Sequence, residues 1–273
     1  MVKIDKFDKH NGKQDVLTVI KQHIERQGGR FEEQEENKED KRIVWYLDTQ
    51  KHHLKDNDFT IRFREQSNAS YDLTIKNRHQ DRNIAGSYDL SNPEEKNPGF
   101  EFTDFDPKFE EDILPKERKF SESTKFKFDK MPKLEAWHDI LPIYSNLKNL
   151  EIDPTETLLK VNGCEVKETN HEIGKIVFGD ENKSKAELSI WESRSEDGVP
   201  LIVEFSFVVG SKGIDSSAAA DNGNLFDFPQ SLVEQAETLY NSLQNDQIMD
   251  KETTETKTDY IYKRCRDGIT TTI

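Results

Sequence analysis

Two short runs of alternating apolar and polar residues, 59–64 and 71–78, constrain the fold of this chain most. The apolar series consists of Phe59, Ile61, Phe63, Tyr71, Leu73 and Ile75. Alternation with a period of two is typical of half-buried strands, and the turn-prone residues 66–70 between the runs predict an antiparallel hairpin. Side chains two residues apart lie on one face of a strand. The polar face of this hairpin therefore carries Arg62, Arg64, Lys76 and Arg78.

This cationic face belongs to an acidic chain. The 273 residues carry a formal net charge of −15, with 39 Lys and Arg against 54 Asp and Glu. The hydrophobic fraction is 33% and the charged fraction 34%, whereas roughly 25% charged residues is usual in globular domains. We therefore expect a thin core under a heavily charged surface. A nucleic-acid partner is not expected, because phosphate backbones are bound by proteins with a net positive face.

The termini and the cysteines predict a cytoplasmic protein with no membrane partner. The first residues have no apolar signal core, and no apolar run is long enough to span a bilayer. Cys164 and Cys265 belong to no Cys-x-x-Cys pair. A zinc site or a disulfide framework is therefore not expected, and a reducing compartment fits this cysteine usage.

The rest of the chain alternates between strand and helix patterns. A first strand is predicted at 2–7. Helices are predicted over 14–27, 133–147 and 230–244, the first ending at Gly28-Gly29. Further strands are predicted near 158–161, 173–178, 185–191 and 201–209.

Three segments lack these patterns. Residues 91–112 are rich in proline, glycine and acidic residues, which predicts a long surface loop within an insertion near 91–131. Residues 210–223 are predicted to be a Ser/Ala/Gly linker, and 246–273 a polar tail. We therefore predict an α+β fold, with a single domain over 1–245 in which antiparallel strands are flanked by helices.

The second group of strands repeats the division into an apolar and a charged face. Opposite the apolar series, these strands carry Lys175, Lys185, Glu187 and Glu204. In an open sheet such a face is simply solvated. In a closed barrel the charges point inward and need partners or a ligand, because burying unpaired charge is very costly. A lumen rich in Arg and Lys, with a few Glu, suits a polyphosphate bound with Mg²⁺ or Mn²⁺.

The order of several short motifs resembles a known family. The motifs are the helix ending at Gly28-Gly29, Tyr46-Leu47-Asp48-Thr49, Ile61-Arg62-Phe63-Arg64 and Leu73-Thr74-Ile75-Lys76. Over residues 14–78 this order and spacing are similar to the first half of the CYTH superfamily, the triphosphate tunnel metalloenzymes. The resemblance implies a closed antiparallel barrel of about eight strands. Such proteins hydrolyse inorganic triphosphate, thiamine triphosphate or RNA 5′ triphosphate ends, and some cyclise ATP.

The resemblance also implies a set of site residues. Arg62, Arg64 and Lys76 match phosphate ligands of the family, and Glu204 matches a late metal-binding glutamate. Together with the strand patterns, this predicts substrate binding by Lys6, Arg62, Arg64, Lys76, Arg78, Lys175 and Lys185. Glu187 and Glu204 are the predicted catalytic and metal-binding residues, with Mg²⁺ or Mn²⁺ as the cofactor. The chain departs from the family at its start, where Val2 and Ile4 occupy the positions of two metal-binding glutamates.

Three hypotheses for function follow. The first is a metal-dependent hydrolase of a triphosphate-containing molecule. The second is a tunnel-fold module without catalysis that binds a phosphorylated ligand or a protein partner. The third is a lipid- or protein-binding barrel whose charged face is solvated. The first two require Arg62, Arg64, Lys76 and Arg78 to converge, whereas a lipid carrier would turn its apolar series toward the ligand.

Overall fold

The computed structural model describes residues 1–8, 11–94, 100–114, 117–178, 182–194, 199–209, 230–252 and 255–263. The helices are α1 (Gly12–Arg26), α2 (His53–Asp56), α3 (Arg82–Ala85), α4 (Gln230–Gln244) and α5 (Lys257–Lys263). The strands are β1 (Arg30–Thr49), β2 (Phe59–Gln66), β3 (Tyr71–His79), β4 (Asp104–Ile113), β5 (Arg118–Phe128), β6 (Leu158–Lys160), β7 (Val166–Phe178), β8 (Asn182–Ser193) and β9 (Pro200–Val208).

The chain forms two compact units. The hairpin unit comprises Lys41–Glu168, Ser193–Asp197 and Thr254–Ile273, and the α1 unit comprises Met1–Asp40, Thr169–Glu192 and Gly198–Thr253. Strand β1 is long enough to contribute residues to both.

The hairpin unit contains antiparallel strands in the order β4-β5-β3-β2-β1, with β6 also paired to β1. The predicted hairpin of β2 and β3 is confirmed, with Ile61 opposite Ile75 and Phe63 opposite Leu73. These apolar residues are buried in one core together with Phe126 of β5 and Trp137. The alternation of the sequence thus assigns one face of this sheet to the core and the other to polar residues.

The α1 unit contains β7, β8 and β9, with helices α1 and α4 packed over their apolar residues. The predicted helices over 14–27 and 230–244 are confirmed. His23 of α1 contacts Ser242 of α4 and Asp246 just after α4, since its Nδ1 lies 2.7 Å from Ser242 Oγ and its Nε2 lies 3.0 Å from Asp246 Oδ2. Gly174 of β7 has φ +152°, and a Cβ at this position would lie 2.4 Å from the Glu32 carbonyl oxygen.

Two predicted elements are wrong. In place of a first strand, Val2 forms an isolated bridge with Met249 and the chain turns into a 3₁₀ helix at Ile4–Lys6. In place of a helix over 133–147, short 3₁₀ helices form at Trp137–Asp139 and Ser145–Leu150. Pro142 explains the second difference, because a proline in a helix interior removes a hydrogen bond and clashes with the preceding turn.

The predicted surface loop over 91–112 is wrong at its end, where strand β4 begins. The predicted tail likewise contains α5, and its residues 264–273 lie outside the described residues, as does the linker 210–223. The α+β class is confirmed. The hydrogen-bonded strand order is an open path from β4 to β9, and no pairing in the described strands closes it, so the closed barrel stays a prediction.

Cys164 is buried and disulfide-bonded, which corrects the expectation from the cysteine pattern. The other cysteine, Cys265, lies outside the described residues. The prediction of a reducing compartment loses this support, and a cytoplasmic location stays a prediction. None of the helices in the described ranges has the length and apolar character needed to cross a membrane.

Candidate functional site

A continuous polar face runs across five strands of the hairpin unit. Strand register places the side chains of neighbouring strands in rows. One row consists of Tyr46, Arg62, Thr74, Lys125 and Asp106. The next consists of Thr60, Lys76, Ser123 and Lys108. Because paired residues lie on the same side of a sheet, these rows collect polar side chains from distant parts of the sequence on one surface.

This face lines a cavity of about 330 Å³. Its basic lining residues are Lys55, Arg62, Arg64, Lys76, Arg78, Lys108, Lys119 and Lys125, and its acidic ones are Asp58, Glu110 and Asp259. Among the described residues, the lining therefore carries eight basic side chains against three acidic ones. The four cations predicted from the hairpin line one cavity, in a protein whose net charge is strongly negative.

Part of this positive charge is balanced by carboxylates of β4. Lys76 Nζ lies 3.3 Å from Glu110 Oε2 and 3.6 Å from Asp112 Oδ2. Arg78 Nη2 lies 2.8 Å from Asp112 Oδ2. Burial alone would raise the pKa of Asp112, but the ion pairs with Lys76 and Arg78 outweigh it and lower the pKa. Burial, with the positive charges of Arg78 and Arg62, lowers the pKa of Lys76 despite these carboxylates.

Other positive charge in the cavity is not balanced. The Arg62 guanidinium has no hydrogen-bond or ion-pair partner among the described residues, and its Nε is buried. The Nε atoms of Arg64 and Arg78 are also buried without a hydrogen-bond acceptor in the described part of the chain. A buried donor without an acceptor is unfavourable. Arg62 thus lines the cavity as a cation without a counter-charge among the described residues, and a bound anion would supply that charge.

Arg64 belongs to a cluster around one carboxylate. Glu168 Oε2 lies 2.5 Å from Arg42 Nε and 3.4 Å from Arg64 Nε, and Glu168 Oε1 lies 3.3 Å from Lys257 Nζ. Burial, and then the neighbouring charge of Arg62, lower the pKa of Arg64 to about 10, although Glu168 opposes this shift. Arg64 therefore remains a cation at neutral pH.

The C-terminal helix α5 forms one wall of the cavity through Thr256, Thr258 and Asp259. The Asp259 carboxylate accepts from the backbone N–H of Thr256 at 3.1 Å, and the Asp259 N–H donates to Thr256 Oγ1 at 3.2 Å. This reciprocal cap fixes the first turn of the helix. Further along, the Tyr262 hydroxyl donates to Asp48 at 2.6 Å. The bond from Tyr262 thus attaches the end of α5 to β1.

The other predicted site residues lie in the α1 unit. Lys6 and Lys175 are exposed. Lys185 Nζ lies 2.7 Å from Glu187 Oε1, and the same carboxylate oxygen accepts from Asn170 at 3.1 Å. Register places Glu187 opposite Ser206 and Glu204 opposite Ser189, so both glutamates lie on one face of the β8–β9 pair. Their predicted roles stay predictions.

Among the described residues, no group of three or more His, Cys, Asp or Glu is placed to hold a metal ion. The donor chemistry of Glu187 and Glu204 nevertheless fits a hard cation, because Mg²⁺ in proteins commonly takes one or two carboxylates and completes its shell with water and phosphate oxygens. Glu187 and Glu204 thus stay the predicted ligands of Mg²⁺ or Mn²⁺.

The strand and helix patterns of the sequence did not indicate that β4, β5 and α5 contribute to the cavity. Lys108, Lys119 and Lys125 lie in the segment interpreted as an insertion, and Thr256 and Asp259 in the segment interpreted as a tail. A signal for one strand was present, since Lys125-Phe126-Lys127-Phe128 alternates. The pairing of β5 with β3 joins residues far apart in sequence, and no local pattern indicates it.

No protein-family model matches the chain, and no curated protein matches its sequence. Solved structures do match. One is a candidate adenylyl cyclase from Hippeastrum whose description reports a dominant triphosphatase activity. It is 10% identical with a TM-score of 0.41, and the match covers 90% of this chain and 89% of that one.

Two further matches are candidate adenylate cyclases. That from Bacillus halodurans is 13% identical with a TM-score of 0.38, over 88% of this chain and 89% of that one. That from Vibrio parahaemolyticus is 12% identical with a TM-score of 0.32, over 82% of each chain. Since each of these TM-scores is below 0.5, these likenesses support no conclusion about function.

Proposed function

We propose that this chain binds a triphosphate-containing molecule in the cationic cavity and, with Mg²⁺ or Mn²⁺, hydrolyses one of its phosphoric anhydride bonds. The observation that carries the proposal is the Arg62 guanidinium, which lines the cavity without a partner among the described residues. A partly enclosed cation is unfavourable unless another charge compensates it. An anion is therefore the ligand that completes this site.

The arrangement of the cations favours an elongated anion over a single phosphate. Arg64 pairs in register with Asp72, and Arg78 lies six residues farther along β3. At about 3.3 Å per residue, the backbone positions of these cationic residues are spread over roughly 20 Å along the strands. A single phosphate group contacts only donors within about 3 Å of its oxygens, whereas a linear chain of phosphates contacts several cations in succession. Guanidinium groups suit such a ligand because one guanidinium can donate two parallel hydrogen bonds to phosphate oxygens.

The same side chains suit hydrolysis. In phosphoryl transfer, negative charge on the transferred group and the leaving oxygen must be stabilised in the transition state. Cations already in place, such as Arg62, Arg64, Lys76 and Arg78, provide that stabilisation without reorganisation. A bound Mg²⁺ or Mn²⁺ would supply Lewis acidity and an activated water. Glu187 and Glu204 stay the ligands predicted from the sequence, and both belong to the α1 unit.

Phosphate release from inorganic triphosphate, ATP and thiamine triphosphate tests the proposal, in Mg²⁺, Mn²⁺ or EDTA. We expect metal-dependent release from at least one substrate by the wild-type protein. The double variant Arg62→Ala plus Arg64→Ala should lose at least a hundredfold in rate, about 2.7 kcal/mol of transition-state stabilisation. The matched control is Arg118→Ala, which removes an exposed arginine of β5 outside the cavity lining and should keep the wild-type rate.

Other outcomes have defined meanings. If no metal supports release, while triphosphate raises the unfolding temperature of the wild-type and Arg118→Ala proteins only, the chain is a binding module without catalysis. If triphosphate neither reacts nor stabilises the wild-type protein, the proposal is wrong.

A further inference from the structure

Glu168 lies behind the cavity wall, with its side chain 1% exposed. It contacts three cations from three different elements, namely Arg42 of β1, Arg64 of β2 and Lys257 of α5, at 2.5, 3.4 and 3.3 Å. Each of these cations has a side chain that is 16% exposed or less. One buried carboxylate therefore contacts three largely buried positive charges.

Among the described residues, this cluster brings three positive charges around one carboxylate. Water screens buried charges poorly, so repulsion among the cations is strong there. The Glu168 carboxylate reduces this repulsion. It also contacts Arg64 on its Nε side, and Arg64 lines the cavity whereas Glu168 does not.

An anion in the cavity would thus meet an arginine that a protein carboxylate already contacts. Contact at Nε leaves the two terminal nitrogens of the guanidinium to bind phosphate oxygens. The carboxylate itself repels the anion, because both are negative. Contact with Glu168 therefore has two consequences: it holds Arg64 in position, and it reduces the attraction that Arg64 exerts on a ligand.

We infer that Glu168 is a built-in counter-anion of the cavity, which positions Arg64 and sets how tightly a polyphosphate is held. The inference rests on the proposed function and adds a residue that neither the strand patterns nor the family motifs single out. Glu168 lowers the affinity of the cavity for its ligand, so that a highly charged product leaves more readily. Without it, the cavity would hold any polyphosphate more tightly.

Glu168→Gln tests this directly. The amide keeps the shape of the side chain and an oxygen that accepts from Arg42, but it removes the negative charge. The dissociation constant for inorganic triphosphate is measured by titration calorimetry in EDTA, so that the cavity is probed without a metal. We expect Glu168→Gln to bind at least tenfold more tightly than wild type at low salt. The gain should shrink at high salt, since added ions screen charge repulsion.

The matched control is Glu165→Gln. Glu165 belongs to the same unit and is paired with Lys160 and Arg194, but it is not among the residues that line the cavity. Its removal should leave the dissociation constant within twofold of wild type. A purely structural role for Glu168 would change the unfolding temperature without a salt-dependent gain in affinity.

A second pair of variants keeps the test decisive if Glu168→Gln does not fold. Lys257→Met removes one cation and leaves Glu168 with two arginines, so it should weaken triphosphate binding at least threefold. Combining Glu168→Gln with Lys257→Met restores the charge balance of the cluster and should return the affinity to near the wild-type value. Unchanged affinity in Lys257→Met would contradict the inference.

The inference and the proposed function fail in different ways. If wild type binds triphosphate and Glu168→Gln binds equally or more weakly, the role assigned to Glu168 is wrong and the proposed function stands. If neither protein binds triphosphate, the proposed function is wrong and the role of Glu168 falls with it.

Discussion

The hydroxyl of Tyr262 donates a 2.6 Å hydrogen bond to the buried carboxylate of Asp48. This bond joins α5 to the strand that carries the motif at residues 46–49. The same carboxylate accepts from the backbone N–H groups of Thr49, Leu54 and Lys55. Burial, and then the Asp48 charge, raise the pKa of Tyr262, so its hydroxyl keeps its proton at any physiological pH.

We therefore predict that Tyr262→Phe lowers the free energy of unfolding by about 1.5–3 kcal/mol, because a buried carboxylate loses a donor. Urea unfolding measures this change. Amide hydrogen exchange should become faster over residues 257–263, where α5 loses one of its attachments. A stability change below 0.5 kcal/mol, well under the expected range, would mean that the three backbone donors alone satisfy Asp48.

We predict that Arg62→Met weakens triphosphate binding without lowering the free energy of unfolding. Methionine keeps the length of the apolar part of the side chain and removes a charge that has no partner among the described residues. The free energy of unfolding should stay unchanged or rise by about 1 kcal/mol, while triphosphate affinity falls about tenfold to a hundredfold. Calorimetric titration and urea unfolding of the same protein preparation measure both quantities.

The matched comparison is Arg78→Met, which breaks the 2.8 Å ion pair with Asp112. This variant should lose both affinity and about 1–3 kcal/mol of stability. If Arg62→Met is destabilised as much as Arg78→Met, Arg62 has a structural role that its contacts do not reveal.

We predict that the contribution of Asp112 to the free energy of unfolding depends on pH. Its pKa is lowered from the ordinary value of 3.8, since the pairs with Lys76 and Arg78 outweigh burial. A carboxyl whose pKa is lower in the folded state stabilises that state above its unfolded pKa, and this contribution is lost as the pH falls through the folded value. Asp112→Asn should thus cost about 1–3 kcal/mol at pH 7.

The difference between wild type and Asp112→Asn should shrink as the pH falls below 3.8. Urea unfolding at several pH values from 7 to below 3 gives this difference directly. A difference that stays constant over the whole range would show that the Asp112 carboxylate is not held ionised by its two neighbours.

Lys125 and Lys127 provide a matched test of the cavity wall formed by β5. Both are lysines of the same strand, but only Lys125 lines the cavity, whereas Lys127 pairs with Asp104 at 2.7 Å. Lys125→Met should weaken triphosphate binding about threefold to tenfold, as expected for one partly screened charge contact. Lys127→Met should bind as wild type does. Equal effects of the two variants would exclude β5 as part of the ligand site.

Strand alternation in the sequence predicted the central hairpin and its cationic face. Phe63 and Leu73 face the core while Arg62 and Arg64 face the cavity, as expected because the side-chain period of a strand is two and the turn at 66–70 sets the register. Helices α1 and α4 were predicted for the same reason, since their apolar spacing is local. The helix predicted over 133–147 failed because Pro142 overrides an otherwise amphipathic pattern.

The sequence by itself determined which residues share a strand face, because that depends only on neighbours two positions away. It therefore identified Arg62, Arg64, Lys76 and Arg78 as one polar surface. Only the tertiary structure decided what completes that surface. Lys125 reaches the row of Arg62 through the pairing of β5 with β3. Glu168 reaches Arg64 from more than a hundred residues away, and Lys257 contacts Glu168 in turn. Such pairings depend on how distant segments bury their apolar faces together, which no local pattern specifies.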